Sequence, residues 1–564
     1  MCGPRYEWMV WELAISMLGA VSVPVDASAP VDEVGAVLRH AGCVAAVVEH
    51  PEHLRVIASA LGPGDHDVRV VTYLEAHVDL ASSRGGGRVS LADVPVMSAA
   101  LLMSSDLEDE GSEAHATADA TERAGAWSTV GLEDNFSIVY TSGTTGTPRG
   151  VLLTHKNMVY ESWAIKNSFA VDHRDLQVTF LPLHHIFSRH MVWAAVESGA
   201  VTGFCSDPGL LPRALEILRP TFFGGVPWTF EKMRSRLEQE VARRGPVARR
   251  QFAWGMRLGR RVRAKEREGA SVTRWLASRY RIADRVTLRR ARQGLGGRLR
   301  FAISGAAPIR VDTLEFFHAA GVLVLEGYGL TETTGATHVN RPNRFRFGSV
   351  GLPLPGCEAS LDEDGEILVR GHHVMAGYFD APEATAEIID GEGWLHTGDL
   401  GALDAGYLSV VGRKKELIIT DGGKNIAPAA LERTLRESPG IAEAVMVGDR
   451  RPCLIALITL DLDAMLPKAQ VAKLGCTSYH ELVCHPEVRR WVAAAVETAN
   501  GGRARAEQLR GFALLPAPLS RERGELTATL KVRRHQVIER YASLIEATYA
   551  TSALRRDAEL EEDE

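Results

Sequence analysis

The chain has 564 residues and a formal net charge of −7, and it is 45% apolar and 24% charged. This length is too great for one hydrophobic core, so at least two domains are expected. The negative charge argues against a general nucleic-acid role, and the seven scattered cysteines suit a reducing compartment better than a disulfide framework. No apolar run is long enough to span a membrane and no signal peptide is recognisable at the N-terminus, so a cytoplasmic protein is expected.

The first residues predict alternating helices and strands. Tyr6–Ala20 has the pattern of an amphipathic helix and Val21–Val25 that of a short strand, followed by a helix at Asp32–Ala41 and a strand at Val44–Val48. Residues 104–125 are polar, acidic and rich in alanine, without an apolar period. This stretch is interpreted as an acidic insertion, either a surface loop or a disordered segment.

A hydroxyl-rich and glycine-rich loop follows between two predicted strands. Ser137–Tyr140 and Val151–Leu153 are strand-like, and the sequence between them is TSGTTGTPRG. Glycines let the backbone approach a ligand, successive N–H groups form an anion-binding nest, and arginine suits phosphate. The spacing is not that of a Walker A loop, and a plain hairpin turn is the alternative. The predicted polyphosphate ligands are Thr141, Ser142, Gly143, Thr144, Thr145, Gly146 and Arg149.

The region 243–300 is strongly basic, with only Glu266, Glu268 and Asp284 opposing its many arginines. It contains helical stretches such as Trp254–Glu268. One interpretation is a solvated helical excursion; the other is a surface that attracts anionic lipid headgroups and so gives peripheral membrane contact. Nucleic-acid binding is not expected because aromatic residues for base stacking are few.

Two further strands end in turns of small residues. Leu299–Pro308 reads LRFAISGAAP, and Leu323–Gly335 reads LVLEGYGLTETTG. Beside a triphosphate, the Thr and Glu of the second turn are suitable oxygen ligands for Mg²⁺. The alternative for Glu332 is an acid stabilised by the dipole at the start of a helix.

Late in the chain, the strands predicted near Ala444–Val447 and Leu454–Thr459 indicate a smaller α/β domain. Its histidines and cysteines invite a metal interpretation, but their spacing matches no standard zinc pattern. The four residues concerned are Cys476, His480, Cys484 and His485.

The loop YTSGTTGTPRG resembles the phosphate-loop signature of the adenylate-forming superfamily, which comprises acyl-CoA synthetases, non-ribosomal adenylation domains and luciferases. Arg149 stands where that signature usually has lysine. LPLHHIFSRH (181–190) and PTFFGGVPWTFEKM (220–233) resemble the long-chain acyl-CoA synthetase branch, with Trp228 where that branch commonly has arginine. The opening residues resemble a region that normally lies further inside such chains, which predicts a shortened N-terminus.

The resemblance implies an α/β fold with a large N-terminal domain and a small mobile lid. The large domain, residues 1–412, would contain two αβ-layered subdomains and a β-barrel. Residues 413–416 would be the hinge, 417–550 the C-terminal lid and 551–564 an acidic tail.

The resemblance also implies roles for individual residues. The base of ATP would lie between two turns, with the Tyr328 ring stacked on it, and its ribose would bind Asp399 and Arg413. Thr141 and Glu332 would hold Mg²⁺, Lys531 would be the catalytic lysine, and Lys415 the hinge pivot. The two base-binding turns consist of Gly305, Ala306, Ala307, Glu326, Gly327, Tyr328 and Gly329. The remaining implied residues are catalytic Thr331 and His185, and Gly423 and Lys424 in the CoA channel.

The implied reaction joins a medium- or long-chain fatty acid to AMP and then to CoA, with ATP and CoA as co-substrates. Gly224, Gly225 and Gly327 are expected to leave room for the acyl chain. One alternative is a ligase that delivers the acyl group to a carrier protein; another is a nucleotide-binding protein without catalysis. The sequence determines neither the acyl acceptor, the chain length nor the oligomeric state.

Overall fold

The computed structural model describes residues 1–61, 67–74, 96–98, 129–141, 149–421, 425–527 and 531–551. The acidic insertion, the loop residues 142–148, Gly423, Lys424 and the tail beyond residue 551 lie outside these ranges. The chain forms two compact units, one of Met1–Ala306, Thr313–Ser360 and Leu368–His396, the other of Ala307–Asp312, Leu361–Ile367 and Thr397–Glu564. The structure is 44% helical and 23% strand, in agreement with the predicted α/β class.

The first unit begins with three helices and a small parallel sheet. Its elements are α1 (Tyr6–Met17), α2 (Val31–His40), α3 (Pro51–Leu61) and strands β1 (Ala45–Val48), β2 (Val70–Tyr73) and β3 (Val96–Ser98), in the order β1-β2-β3. The strand predicted at Val21–Val25 is wrong, because only an isolated bridge joins Ser22 to Ser137. Pro24 lies in this segment and has no N–H to donate to a ladder.

A hairpin follows, with β4 (Asn135–Thr141) antiparallel to β5 (Arg149–Thr154). Strand β15 (Gly377–Tyr378) pairs with the other edge of β5. Helix α4 (His155–Phe169) starts directly after β5. Its first turn is closed by a reciprocal cap, in which the Thr154 and Asn157 side chains accept each other's backbone N–H.

A seven-stranded sheet forms the centre of the first unit. Its strands are β6 (Leu176–Thr179), β7 (Val201–Phe204), β8 (Phe222–Gly225), β9 (Phe301–Ser304), β10 (Val324–Leu330), β11 (Gly335–Val339) and β12 (Leu352–Pro353), in the order β12-β11-β10-β9-β8-β6-β7. Strands β6 to β10 are parallel neighbours, whereas β10, β11 and β12 pair antiparallel. All four residues of β9 are buried, as expected for a central strand covered on both faces.

Helices α5 (Ile186–Ser198) and α6 (Leu211–Leu218) connect strands of this sheet. The basic region is helical, as predicted. Helix α7 (Pro227–Arg243) ends at the first residue of this region. The region itself forms α8 (Pro246–Arg267), α9 (Arg274–Ala283), a π-helical turn (Asp284–Leu288) and α10 (Arg289–Gln293). The remaining elements before β16 are α11 (Val311–Ala320), β13 (Glu358–Leu361), β14 (Glu366–Arg370) and α12 (Pro382–Ala386).

The second unit contains an antiparallel pair, β16 (Leu395–Asp404) and β17 (Tyr407–Arg413), and a three-stranded sheet. Strands β20 (Ile441–Val447) and β21 (Leu454–Leu460) confirm the two strands predicted there. The other elements are β18 (Ile418–Ile419), β19 (Asn425–Ile426), β22 (Leu509–Leu514), α13 (Pro428–Glu437), α14 (Leu462–Val471), α15 (Tyr479–Cys484), α16 (Pro486–Asn500) and α17 (Arg534–Arg540). Residues 542–551 are also helical. The domain boundary expected after residue 412 stays a prediction.

Among the described residues, no helix combines the length and the apolar character that crossing a bilayer requires.

A buried ion pair joins three elements of the first unit. Arg189 of α5 is fully buried and contacts the carboxylate of Glu12 in α1, which is 3% exposed. The Arg189 guanidinium also donates to Ser137 Oγ of β4 at 2.9 Å and to Ser22 Oγ at 2.8 Å. Trp193 Nε1 donates to Glu12 at 2.8 Å. Each charge is thus neutralised and hydrogen-bonded, as burial requires.

We expect Arg189→Met to destabilise the protein by about 3–5 kcal/mol, because Glu12 is left as an uncompensated buried charge. The double variant Arg189→Met, Glu12→Gln should recover most of this loss, since both charges are removed. The measurement is the midpoint of thermal unfolding. Arg174→Met, which breaks an exposed pair with Asp172, is the control and should leave the midpoint unchanged. Equal midpoints for Arg189→Met and the control would contradict the assigned role.

Candidate functional site

The strands on both sides of the predicted phosphate loop are in place. Thr141 and Arg149 face each other as the last pair of the β4–β5 hairpin, and the loop between them, with Ser142 to Gly146, lies outside the described residues. Gly150 is required beside this end, because a Cβ there would lie 2.8 Å from Ile138 Cγ2. The hairpin therefore presents a hydroxyl and a guanidinium at the base of the loop.

A tyrosine connects the phosphate hairpin to the predicted metal ligand. The guanidinium of Arg149 lies 5.2 Å from the centre of the Tyr378 ring. The Tyr378 hydroxyl donates to Glu332 Oε1 at 3.0 Å. Burial, and then the neighbouring Glu332 carboxylate, raise the pKa of Tyr378 above its ordinary value, so the phenol keeps its proton at neutral pH. Arg149, Tyr378 and Glu332 thus form one connected group.

Sequence reasoning missed Tyr378. The only local signal is a tyrosine after a glycine, Gly377, in a short apolar segment, and nothing in that pattern indicates which strand it will join. Its role depends on β15 pairing with β5, where Tyr378 lies opposite Val151.

The turn that carries Thr331 and Glu332 connects β10 to β11 and is tightly built. Thr333 Oγ1 accepts from Leu330 N at 2.8 Å and donates to Gly335 O at 2.8 Å. Gly329 permits this closure, since a Cβ there would lie 1.7 Å from Gly335 O. Glu332 precedes a strand and not a helix, so the alternative of an acid at a helix start is wrong.

A buried carboxylate accepts a hydrogen bond from the backbone directly after this turn. Glu161 of α4 is fully buried, and its Oε1 accepts from Ala336 N at 2.8 Å. Burial raises the pKa of Glu161 well above its ordinary value, so the neutral acid is favoured. His190 of α5 is also buried, and a Cβ at Gly335 would lie 3.0 Å from Glu161 and 3.2 Å from His190. Burial lowers the pKa of His190 to about 3, which keeps the imidazole neutral.

The two turns predicted to enclose adenine follow neighbouring parallel strands. Glu326 of β10 lies opposite Ser304 of β9, so the turn of Gly305, Ala306 and Ala307 emerges beside Gly327, Tyr328 and Gly329. Ligands of open α/β sheets bind at such carboxyl ends. The structure therefore brings the two predicted base-binding segments together at the edge of one sheet.

His185 is the N-cap of α5, and its ring lies against that of His184, with ring centres 4.2 Å apart and the ring planes tilted by 43°. Phe187, the second residue of the helix, lies against Gly224 and Gly305, since a Cβ at these glycines would be 3.1 and 3.3 Å from its ring, respectively. The turn that begins at Gly305 and helix α5 are thus in contact through the Phe187 ring.

The expectation that three glycines leave room for an acyl chain is wrong. Side chains of the protein itself fill the space beside each of them: Phe187 and Met191 at Gly224, Phe230 at Gly225, and Val339 at Gly327. Gly224 and Gly225 let helices α5 and α7 pack closely against the sheet, and Gly327 admits Val339 of the neighbouring strand β11.

In the second unit, Asp399 and Arg413 lie opposite each other on β16 and β17. Arg413 Nε is 2.9 Å from Asp399 Oδ1, and the Asp399 residue is 4% exposed. The pair offers a carboxylate and a guanidinium at one point, as vicinal hydroxyls would need. Lys415 lies in a short 3₁₀ turn, Lys414–Glu416, directly after this pair.

Lys531 is exposed and belongs to the same unit. Thr527 N donates to Lys531 O at 2.8 Å, and Lys531 N donates to Thr527 Oγ1 at 3.0 Å. An isolated bridge joins Leu526 to Val532. Gly423 and Lys424, the predicted CoA-channel residues, lie outside the described ranges.

The residues predicted to hold Mg²⁺ suit a hard cation chemically. Thr141 contributes a hydroxyl and Glu332 a partly exposed carboxylate, and both are oxygen donors. The cysteines and histidines between 476 and 485 do not form a set of converging ligand atoms in the described part of the chain. His485 instead caps α16 by accepting from Glu487 N.

Comparison with known proteins identifies the family of both the N-terminal and the C-terminal part of the chain. The family of AMP-binding enzymes matches residues 1–379, and the AMP-binding enzyme C-terminal domain matches residues 415–553. The long-chain-fatty-acid–CoA ligase FadD15 of Mycobacterium bovis is 36% identical over 558 residues, which is 97% of this chain and 86% of the relative. The putative fatty-acid–CoA ligase fadD11 of Mycobacterium tuberculosis is 38% identical over 78% of this chain and 77% of its own length.

Solved structures show the same fold at low identity. The adenylation domain of a carboxylate reductase from Mycobacterium chelonae has a TM-score of 0.70 at 20% identity, covering 97% of this chain and 80% of its own. ATP-bound MatB from Rhodopseudomonas palustris has a TM-score of 0.63 at 22% identity, covering 95% and 87%. This chain therefore belongs to the AMP-binding enzymes of the adenylate-forming superfamily.

Proposed function

We propose that this protein is a long-chain fatty acid–CoA ligase. It activates a medium- to long-chain fatty acid with ATP to acyl-AMP and pyrophosphate, and then forms the CoA thioester with release of AMP. The observation that carries the proposal is the connected group of Arg149, Tyr378 and Glu332 at the base of the phosphate loop. The similarity to FadD15 over 97% of the chain supports the choice of substrate.

In the first half-reaction, a fatty carboxylate attacks the α-phosphate of ATP. Residues 141–149 hold the β- and γ-phosphates, with Arg149 neutralising their charge. The turns at Gly305–Ala307 and Glu326–Gly329 hold adenine, and Asp399 holds the ribose with Arg413. When Mg²⁺ is bound by Thr141 and Glu332, it would add charge neutralisation at the phosphates.

Lys531 draws the carboxylate to the α-phosphate and offsets the charge that develops in the transition state. Lys415 is the hinge about which the C-terminal domain then moves, and the segment with Gly423 and Lys424 lines the channel for CoA. Such a switch lets one enzyme run two chemically different steps in order. His185 and Thr331 complete the reacting centre.

The substrate proposal also rests on the local sequence. An amino-acid site would need a carboxylate for the substrate ammonium, and no Asp or Glu occurs between Phe180 and Trp193. Trp228 is 49% exposed, with Lys232 4.4 Å above its ring, and it departs from the branch pattern.

We also propose a cytoplasmic location with peripheral contact to the inner membrane face, where long-chain fatty acids are dissolved. The basic helices α8 to α10 support this contact, since basic residues attract anionic headgroups. Nucleic acid is not proposed as a partner.

We expect Lys531→Ala to reduce acyl-adenylate formation by about two to four decades, because this lysine acts as charge develops. ATP binding should be retained, since the phosphate and base contacts are assigned to other residues. ATP–pyrophosphate exchange and calorimetric ATP titration measure the two effects. Arg533→Ala, which removes a nearby exposed positive charge, is the control. Adenylation within about threefold of wild type in Lys531→Ala would remove this lysine from the mechanism.

Glu332→Gln is expected to raise the Mg²⁺ concentration needed for half-maximal adenylation, because an amide is a poorer ligand for a hard cation. Excess Mg²⁺ should partly restore the rate. Tyr378→Phe keeps the ring beneath Arg149 and removes the hydrogen bond to Glu332, so a smaller shift in the same direction is expected. Magnesium titrations of both variants provide the measurement. An unchanged magnesium requirement in Glu332→Gln would assign Glu332 to a structural role.

We expect kcat/KM for thioester formation to rise from C6 towards C12 to C18 fatty acids. Each buried methylene contributes roughly 0.8 kcal/mol until the acyl site is filled. The panel is assayed with CoA and, separately, with a holo-carrier protein as acceptor. A maximum at acetate or propionate would exclude a long-chain substrate, and product only with the carrier protein would make the enzyme an acyl-AMP ligase of the same superfamily.

A further inference from the structure

The outermost part of the basic region is a continuous helical segment, α9, the π-helical turn and α10, which together span residues 274–293 and are called the outer helix here. It contains seven arginines and one aspartate, so its formal charge is +6 in a chain whose net charge is −7. Such opposite local charge marks a surface for an anionic partner.

One face of the outer helix is occupied by packing within the protein. Leu276, Ala283 and Leu288 are buried, the first two in a cluster with Leu258 and Val262 of α8. Gly255 of α8 lets the π-helical turn approach closely, because a Cβ there would lie 2.6 Å from Thr287. Because this side of the outer helix is packed against α8, the opposite side of the helix faces away from α8.

The outward face carries large apolar side chains in one row. Trp275 is 63% exposed, Ile282 58% and Val286 42%. Their spacing of seven and four residues places them on one side of a helix. A tryptophan with aliphatic neighbours is the apolar content expected of a helix that lies in a membrane interface.

Arginines border this row. Arg274, Arg281, Arg285 and Arg289 are exposed and precede the apolar positions by one residue or follow them at helical spacing. The one acid of the outer helix, Asp284, is already engaged, with Arg292 Nη1 at 2.7 Å. The exposed face thus combines positive charge with apolar surface and adds no negative charge of its own.

A cavity of about 470 Å³ opens at the C-terminal end of the outer helix. Its charged lining consists of Arg219, Arg289, Arg292, Glu216 and Asp284. Arg292 pairs with Asp284, and Arg219 and Arg289 then outnumber the remaining acid, Glu216, so the lining keeps an excess of positive charge that suits a phosphate group.

We propose that the outer helix docks the enzyme on an anionic phospholipid bilayer. Trp275, Ile282 and Val286 insert at the level of the headgroups, and the bordering arginines bind lipid phosphates. Duplex nucleic acid would use the arginines but leave the apolar row without a partner. The proposal rests on the proposed use of membrane-dissolved fatty acids, and it names the surface that meets the membrane.

The test measures cosedimentation of the full-length enzyme with vesicles of phosphatidylcholine and phosphatidylglycerol, without ATP, CoA or fatty acid. The combined substitutions Arg281→Glu, Arg285→Glu and Arg289→Glu should weaken vesicle binding by about a hundredfold or more. Each arginine near the membrane surface contributes roughly a factor of five to the binding constant. Trp275→Ser with Ile282→Ser should weaken it by about tenfold. Raising the salt concentration from about 0.05 M to about 0.5 M should also weaken wild-type binding.

Matched controls keep the number of charge or apolar changes constant. Arg213→Glu, Arg450→Glu and Arg505→Glu reverse three exposed arginines elsewhere, and Trp163→Ser with Val196→Ser removes exposed apolar side chains from α4 and α5. These should bind vesicles as the wild type does. All variants should retain adenylation of a soluble medium-chain acid, which separates failure of docking from failure of the enzyme.

Two outcomes would overturn the proposal. One is equal binding by the outer-helix variants and their controls. The other is binding of duplex DNA as tight as that of the vesicles at the same salt concentration and with no loss in Trp275→Ser, Ile282→Ser, since the surface would then be a general polyanion site.

Discussion

The buried contact between Arg189 and Glu12 is the constraint on which the first unit depends. A guanidinium and a carboxylate can be removed from water only when each is paired and hydrogen-bonded, and here two serines and a tryptophan supply hydrogen bonds beside the ion pair. These partners belong to α1, the segment at Ser22, β4 and α5. The pair therefore sets the position of the strand that leads into the phosphate loop relative to the helix that begins at His185.

Two side chains from other elements hold the turn that carries Thr331 and Glu332. The buried Glu161 accepts from the backbone N–H of Ala336, and the Tyr378 hydroxyl donates to the Glu332 carboxylate. Positioning of this kind suits phosphoryl and adenylyl transfer, in which the protein mainly orients charged groups and neutralises charge. A carboxylate already oriented by a tyrosine loses less conformational freedom when it binds a cation.

The basic helices stand apart from this machinery in sequence and in chemistry. Their inner faces are apolar and close-packed, as at Gly259, where a Cβ would lie 2.1 Å from Ala319 O. Their outer faces carry exposed arginines together with the exposed apolar side chains of Trp275, Ile282 and Val286. Exposed apolar side chains lower solubility and add nothing to the core, so we infer that they bind a partner. For an enzyme that uses fatty acids, the proposed partner is the membrane.

The sequence by itself determined the local chemistry of this protein. The β-branched run before the loop, the glycines of the turns and the small-residue ends of β9 and β10 follow from short-range rules, and their family resemblance identified the superfamily. The helices of the basic region and the strands of the second unit were also predictable, because apolar periodicity shows directly which face is buried. The strand prediction for Val21–Val25 was wrong, because Pro24 lacks the N–H that a strand needs, and this outweighs the strand preference of the β-branched residues.

Only the tertiary structure decided which distant residues meet. Tyr378 joins Glu332 because β15 pairs with β5, more than two hundred residues earlier in the chain, and no local pattern encodes that pairing. The glycines at 224, 225 and 327 could equally have opened a channel or admitted a neighbour, and the positions of Phe187, Phe230 and Val339 chose the second. Side-chain composition specifies what a residue is able to contact, whereas long-range packing selects the contact that forms.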